Sequence, residues 1–438
     1  CVILQNASSV LFNEICSKGF KHEEVQPCDM LMTIDPLDFE LFQSQITNYS
    51  TVFNFTSKDI LWEYQYLIKF CNCKPKLQKL HLSIAEFFFI YLISPDKFIE
   101  IYSQFISTLK HLKLSYCENR QDSLFEFLDI SNLISFTTVF GSVGKIKDIF
   151  KNEEDESRFP EKHFPFYFNS CLNLKSLNLS QNYIKEISGL SRMYNLKSLD
   201  LSHNSIKVIE GLSNLIHLES LDLSYNIIKV IEGLSNLIYL KTLNLRRNHI
   251  TKIDGLSNLS NLKSLNLYQN GIRNIEGLSD LENLTSLNMS YNGIVKIEGL
   301  SKLQNLKSLK ISKNKINKIE HLESLENLRE LELIRNKINK IDGLFSLRNI
   351  QILDLSANKI TKIEGLSGFK RLTSLYLYRN EITKIEGLTD LPNLELLNLS
   401  YNNINKIEGL SDLKNLKTLH MAYCYSITKI EGLSGLKN

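Results

Sequence analysis

The chain has 438 residues, 43% of them hydrophobic, and 51 Lys and Arg against 48 Asp and Glu leave a formal net charge of +3. That near-balance gives no bulk electrostatic case for nucleic acid or membrane, while the length is ample for a buried core. Cys1, Cys16, Cys28, Cys71, Cys73, Cys117, Cys171 and Cys424 follow no disulfide framework, which points to a reducing compartment, cytosol or nucleus.

Residues 1–151 read as an irregular, helical and aromatic-rich N-terminal region. Cys1-Val-Ile-Leu-Gln shows neither an initiator Met nor the basic start of a signal peptide, so a missing N-terminus is expected. Cys71 and Cys73 lack a second pair and read as thiols, not zinc ligands. The apolar run Leu82 to Ile93, interrupted by Glu86, falls well short of the ~20 residues that span a bilayer and reads as core, as do Trp62 and Phe87 to Phe89. Leu77, Leu80 and Leu82, then Leu109, Leu112, Leu114 and Cys117, look like degenerate forms of a pattern that dominates later. Gly141-Ser-Val-Gly144-Lys145-Ile146 has neither the spacing nor the Ser/Thr of a phosphate loop. Asn152 to Pro160 combines a charge run with a proline, and a linker is expected over 152–171.

From 172 to 438 the sequence repeats. Asn182, Asn204, Asn226, Asn248, Asn270, Asn292, Asn314, Asn336, Asn358, Asn380 and Asn402 are separated by ten steps of 22, and a twelfth copy carries Cys424 in their place. Around each Asn runs a fixed set of apolar positions, for example Leu196, Leu199, Leu201, Ile206, Ile209, Leu212 and Leu215. The Leu199-x-Leu201 step has the period of a strand, whereas the following steps of three match 3₁₀ geometry, in which residues i and i+3 eclipse. Gly189, Gly211, Gly233, Gly255, Gly277 and Gly299 mark a point where positive φ is expected, with His321 as the exception. One coil cannot bury its own apolar edge; stacking coils makes a continuous core. The asparagines are expected to form a structural ladder, their amides bonding backbone groups of their own and the adjacent coil. The last copy has one extra residue before Ile427 and stops in mid-coil, so a C-terminal cap is expected to be missing.

The resulting fold class is an α/β-type repeat solenoid: a curved horseshoe with a concave parallel sheet and a convex side of 3₁₀ and extended turns, joined to the irregular helical N-terminal region. Its 22-residue pattern resembles the leucine-rich repeats of the regulatory subunit of protein phosphatase 1 and, more distantly, of the internalins. The resemblance implies a non-enzymatic scaffold that binds a partner protein on its concave face, and the phosphatase catalytic subunit as one candidate partner.

Outward strand positions are expected six, four and two residues before each Asn: Ser176, Asn178 and Ser180, then Ser198, Asp200 and Ser202, then Ser220, Asp222 and Ser224. The partner-binding candidates are Tyr225, Arg246, Arg247, Tyr268, Tyr291, Lys310, Lys313, Glu330, Glu332, Arg335, Tyr376, Tyr378, Arg379 and Tyr401, because Tyr and Arg most often carry interface energy. An alternative reading takes Arg246, Arg247, Lys310, Lys313, Arg335 and Arg379, interleaved with tyrosines, as a nucleic-acid face, against which stand Asp200, Asp222, Glu330, Glu332 and Asp354. No catalytic motif is present, and no catalytic residue, metal ligand or cofactor is expected; His203, His249 and His420 read as solvated side chains. Acidic and lysine columns beyond each Asn, such as Glu298 and Lys296, read as a solvated striped edge. Sequons such as Asn178-Leu-Ser180 fall on expected strands, where glycans would obstruct the face.

Overall fold

The structure is a computed structural model that describes residues 173–427 with their side chains, together with Ile134, Leu433 and the backbone of six strands nearer the N-terminus. The chain divides into two compact units, Cys1–Ile206 with Asn214–Leu218, and Lys207–Ser213 with Glu219–Asn438.

In the first unit, strands Ile3–Leu4 (β1), Leu31–Met32 (β2), Val52–Thr56 (β3), Lys79–Ser83 (β4), His111–Ser115 (β5) and Ser135–Val139 (β6) pair in parallel in chain order. Ser176–Asn178 (β7) and Ser198–Asp200 (β8) continue the series. Strands β4 and β5 fall on the degenerate leucine segments. The helical character expected for residues 1–151 and the linker expected at 152–171 lie outside the described residues.

The second unit carries ten strands of three residues: Ser220–Asp222 (β9), Thr242–Asn244 (β10), Ser264–Asn266 (β11), Ser286–Asn288 (β12), Ser308–Lys310 (β13), Glu330–Glu332 (β14), Ile352–Asp354 (β15), Ser374–Tyr376 (β16), Leu396–Asn398 (β17) and Thr418–His420 (β18). Every pair is parallel and in register by one repeat, so Leu243 faces Leu265, which faces Leu287. From β9 to β17 the middle leucine of each strand is buried in the core while its neighbours are partly or fully exposed. The parallel solenoid expected from the sequence is what the described residues form.

The core is a stack of single-residue rows. In the Asn270 coil Leu262, Leu267, Ile272 and Leu281 are fully buried, and Leu265 and Ile275 are nearly so. At ~1.5–3 kcal/mol for each fully buried Leu or Ile before entropy, such rows supply the main attraction between coils. Opposite the sheet the chain makes separate turns, each closed by an i to i−3 bond such as Leu259 N to Leu256 O and Leu262 N to Leu259 O. Consecutive turns step by three residues, the 3₁₀ pattern read from the sequence, and no α-helix occurs among the described residues.

Polar ladders complete the stack. The Asn314 amide donates to Met289 O of the preceding coil and Ile311 O of its own, while its Oδ1 accepts from Ile294 N. Cys424 keeps one of these contacts, Sγ to Leu399 O at 3.4 Å. A second asparagine ladder, absent from the sequence reading, runs along the opposite side: Asn261, Asn283 and Asn305 each donate to a carbonyl of the preceding coil, Ile238, Ser260 and Glu282. The glycine column sits at positive φ as expected, and His321 adopts φ 59° in its place.

Candidate functional site

The sequence places one set of side chains wrongly. Serines two residues before the ladder asparagine, expected to face outward, are buried: Ser180 is 7% exposed, Ser202 8% and Ser224 5%. Strand alternation ends earlier than a period-two reading assumes. At the fourth residue before most of the ladder asparagines, an Asn or Asp side chain accepts the N–H two residues on, as Asp200 does from Ser202 and Asn288 from Ser290, and this Asx turn bends the chain. Tyr225, Arg247, Tyr291, Lys313, Arg335, Arg379 and Tyr401 therefore do not stand on strands; each lies just past one, immediately before the ladder asparagine.

That position is left-handed in every coil, with φ between 53° and 61° from Gln181 to Tyr423. A non-glycine residue there costs roughly 1–2 kcal/mol. Glycine occupies it in none of the twelve coils, and Tyr, Arg or Lys in eight.

Around β9 to β13 these side chains form a cation–aromatic ladder. The Arg246 guanidinium lies between Tyr225 and Tyr268, 5.4 and 4.6 Å from the ring centroids. Arg247 sits 4.9 Å from the Tyr225 centroid and its Nε donates to Gln269 Oε1 at 2.8 Å. Tyr268 and Tyr291 are 5.1 Å apart, and Lys313 lies 3.8 Å from the Tyr291 centroid and bonds its hydroxyl. That bond, reinforced by the charges of Lys313, Arg335 and Arg247, holds the Tyr291 phenol below its usual range.

Next comes a charge cluster. Lys310 Nζ pairs with Glu330 at 3.0 Å and Glu332 at 2.8 Å, and Ser308 donates to Glu330. Partial burial opposes the Lys310 charge, yet the two carboxylates hold it above its usual range. Burial pushes Glu332 up, and the second carboxylate adds to the push. Lys310, Glu330 and Glu332, taken from the sequence as free contact residues, are thus partnered with one another.

Lys310, Glu332, Tyr376 and His420 replace the Asx residue of their coils. In three of these coils the orphaned N–H is rescued by a buried serine of the preceding coil: Ser290 accepts from Ser312 N, Ser312 from Ile334 N and Ser400 from Ala422 N. The face can therefore vary without leaving those backbone groups unpaired.

The last coils carry a tyrosine ladder. Tyr378 and Tyr401 are 5.1 Å apart, Tyr401 and Tyr423 4.3 Å, and Tyr423 and Tyr425 6.0 Å. Partial desolvation and the neighbouring Tyr423 raise the Tyr401 phenol. Tyr423 and Tyr425 are missing from the sequence-derived set, although Tyr423 shares the column of Tyr225, Tyr291 and Tyr401.

Asp354 is the strained member of the Asx column. Burial pushes its carboxyl up, and the bonds from Ser356 only partly oppose this. With the folded pKa above the unfolded one, ionisation works against the fold: the penalty is absent in acid and grows as pH rises through the raised pKa. Asp354→Asn, which keeps an acceptor for Ser356 N as Asn288 does for Ser290, is expected to raise the melting temperature at pH 7. The gain should shrink towards pH 4; thermal melts at both pH values check it.

A family profile described as "Leucine Rich repeats (2 copies)" matches eight segments, some of them overlapping, from 172–214 to 392–438. The chain belongs to the leucine-rich repeat family. Among solved structures, an internalin (InlF) from Listeria monocytogenes is 27% identical with a TM-score of 0.59, covering 70% of this chain and 84% of its own. A leucine-rich-repeat protein of Leptospira interrogans is 23% identical with a TM-score of 0.63, covering 80% and 87%. TLR13, solved as a complex with ssRNA13, is 20% identical with a TM-score of 0.63, covering 83% and 56%. The last two are likenesses of fold alone. No curated protein matches the chain. Among the described residues no cluster of His, Cys, Asp or Glu could hold a metal ion, and no helix is long and apolar enough to cross a membrane.

Proposed function

We propose that this leucine-rich-repeat chain is a non-catalytic scaffold that grips a partner protein through the open face of β9 to β18. The observation that carries this reading is the left-handed column. At the other positive-φ column the chain uses glycine almost throughout; here it keeps tyrosine, arginine and lysine against a backbone penalty. Large side chains held at such sites, in a row, are what an interface uses and what the coil itself does not need.

The finer reading is that the partner is a Ser/Thr phosphatase catalytic subunit, with this chain acting as its regulatory subunit in the cytosol or nucleus. It rests on the resemblance of the repeat to that of the phosphatase 1 regulator, and on Glu330, Glu332 and Asp354 lying beside Tyr376, Tyr378 and Tyr401. Crosslinking capture with mass spectrometry tests both levels. Tyr376→Ala with Tyr378→Ala is expected to reduce partner recovery about tenfold or more, as loss of aromatic contacts does at interface centres. Equal recovery would place the binding surface elsewhere, and a partner that is no phosphatase would remove the finer reading while leaving the scaffold.

A further inference from the structure

The open face is not uniform in charge. In the strand-and-turn segments of four successive coils, 241–249, 263–271, 285–293 and 307–315, there are eight lysines and arginines and no aspartate or glutamate. Acid bounds this window at both ends: Glu219 and Asp222 in the coil before, Glu330 and Glu332 in the coil after. Three of these acids are already answered by cations, Glu219 by Lys241 at 2.5 Å, and Glu330 and Glu332 by Lys310, while Asp222 accepts from the Asn244 amide. What stays uncompensated by carboxylates lies between them: Arg246, Arg247, Lys263, Lys307, Lys313 and Lys315.

Their setting favours an anion. Tyrosine rings flank Arg246 and lie against Arg247 and Lys313, which fixes the cations without cancelling their charge. Arg246 Nε is buried without a hydrogen-bond partner, so an incoming acceptor would meet the guanidinium at its Nη groups. Cations ordered in advance lose little side-chain entropy on binding.

The length of the window selects among anions. Three strand spacings of ~4.8 Å make it about 14 Å long, the reach of roughly four extended residues at ~3.3 Å each. A longer polyanion, such as a nucleic-acid strand, would run on to the acidic coils at either end. Resting on the scaffold reading above, we propose that these four coils receive a short segment of the partner protein, about four residues long and rich in aspartate or glutamate.

Fluorescence anisotropy of the full chain tests this with three labelled probes: hexaglutamate, hexaglutamine and a dodecamer of uridylate. Hexaglutamate is expected to bind at least tenfold more tightly than either of the others. Arg246→Gln with Lys313→Gln should weaken it about tenfold, while Arg379→Gln, in the column of Lys313 but outside the window, should change it less than twofold. Asn266→Asp with Asn288→Asp guards against misfolding as the cause. Aspartate already serves this column at Asp200 and Asp222, so the coil is kept while the field is reversed, and hexaglutamate affinity should again fall about tenfold. Equal binding of hexaglutamine, unchanged affinity in the double aspartate variant, or tighter binding of uridylate would each overturn the assignment. If the double aspartate variant still captures the partner and the Tyr376/Tyr378 variant does not, the acidic segment is wrong and the scaffold stands.

Discussion

Replacing Asn314 with alanine is expected to lower the unfolding free energy by about 2–4 kcal/mol, read from urea titration. One buried amide here satisfies Met289 O, Ile311 O and Ile294 N, with a further contact to Ser312 O at 3.2 Å. Alanine leaves Ile294 N unpaired at ~1–3 kcal/mol and removes one of the two amides on Met289 O and Ile311 O, which keep those of Asn292 and Asn336, partly relieved by any water the small cavity admits. Two of those groups belong to the preceding coil, so the damage crosses an interface between repeats. In a stack held by nearest-neighbour contacts that weakens the array at its middle, and hydrogen exchange should show lost protection centred on residues 289–316. Asn204→Ala, at a less buried rung, should cost less. Equal and small losses at both sites would mean that the leucine rows alone hold the coils in register.

The asparagine ladder was legible in the sequence because one residue type recurs where one set of unpaired backbone groups recurs. The leucine rows and the glycine column were legible for the same reason: each column answers one physical demand. Legibility failed where two demands met at one position. Ser202 and Ser224 follow strand alternation on paper, yet the Asx turn at Asp200 and Asp222 has already ended the strand and folded them inward. The sign was present, since Asp or Asn recurs four residues before the ladder asparagine, but it was taken for an exposed polar side chain. Strands β4 and β5 gave only a degenerate echo of the repeat, and β3 none, because they are spaced unevenly, Val52 pairing with Lys79 and Lys79 with His111. Of the face, the large side chains could be picked out by type; that Lys310 is held by Glu330 and Glu332, or Arg246 between two tyrosines, depends on which residues of adjacent coils fall together. Tyr423 and Tyr425 escaped because their coil has Cys424 where the counting needs an asparagine.

Gly277→Ala is expected to destabilise the chain by about 3 kcal/mol or more, and it separates two reasons for a conserved-looking glycine column. The backbone there has φ +69°, which costs alanine roughly 1–2 kcal/mol. A Cβ would also stand 1.7 Å from Ile253 O and 2.9 Å from its carbonyl carbon, both backbone atoms of the preceding coil. Relief requires moving one coil away from the next, which opens the leucine rows and loses packing over several residues. Asparagine distinguishes the two effects, because it tolerates the left-handed region but still carries a Cβ. If conformation alone mattered, Gly277→Asn would recover much of the loss; the close approach requires it to remain as damaging as alanine. Gly271→Ala supplies the contrast: with no positive φ and a nearest contact of 3.2 Å to the Thr251 methyl, it should shift stability by less than about 0.5 kcal/mol. His321, held at φ 59° in the glycine column, shows that a side chain fits where the stack has adjusted, so His321→Gly should gain about 0.5–1 kcal/mol from released backbone strain. Denaturant midpoints for these four variants, measured on one preparation, decide whether contact between coils or backbone conformation sets the glycine.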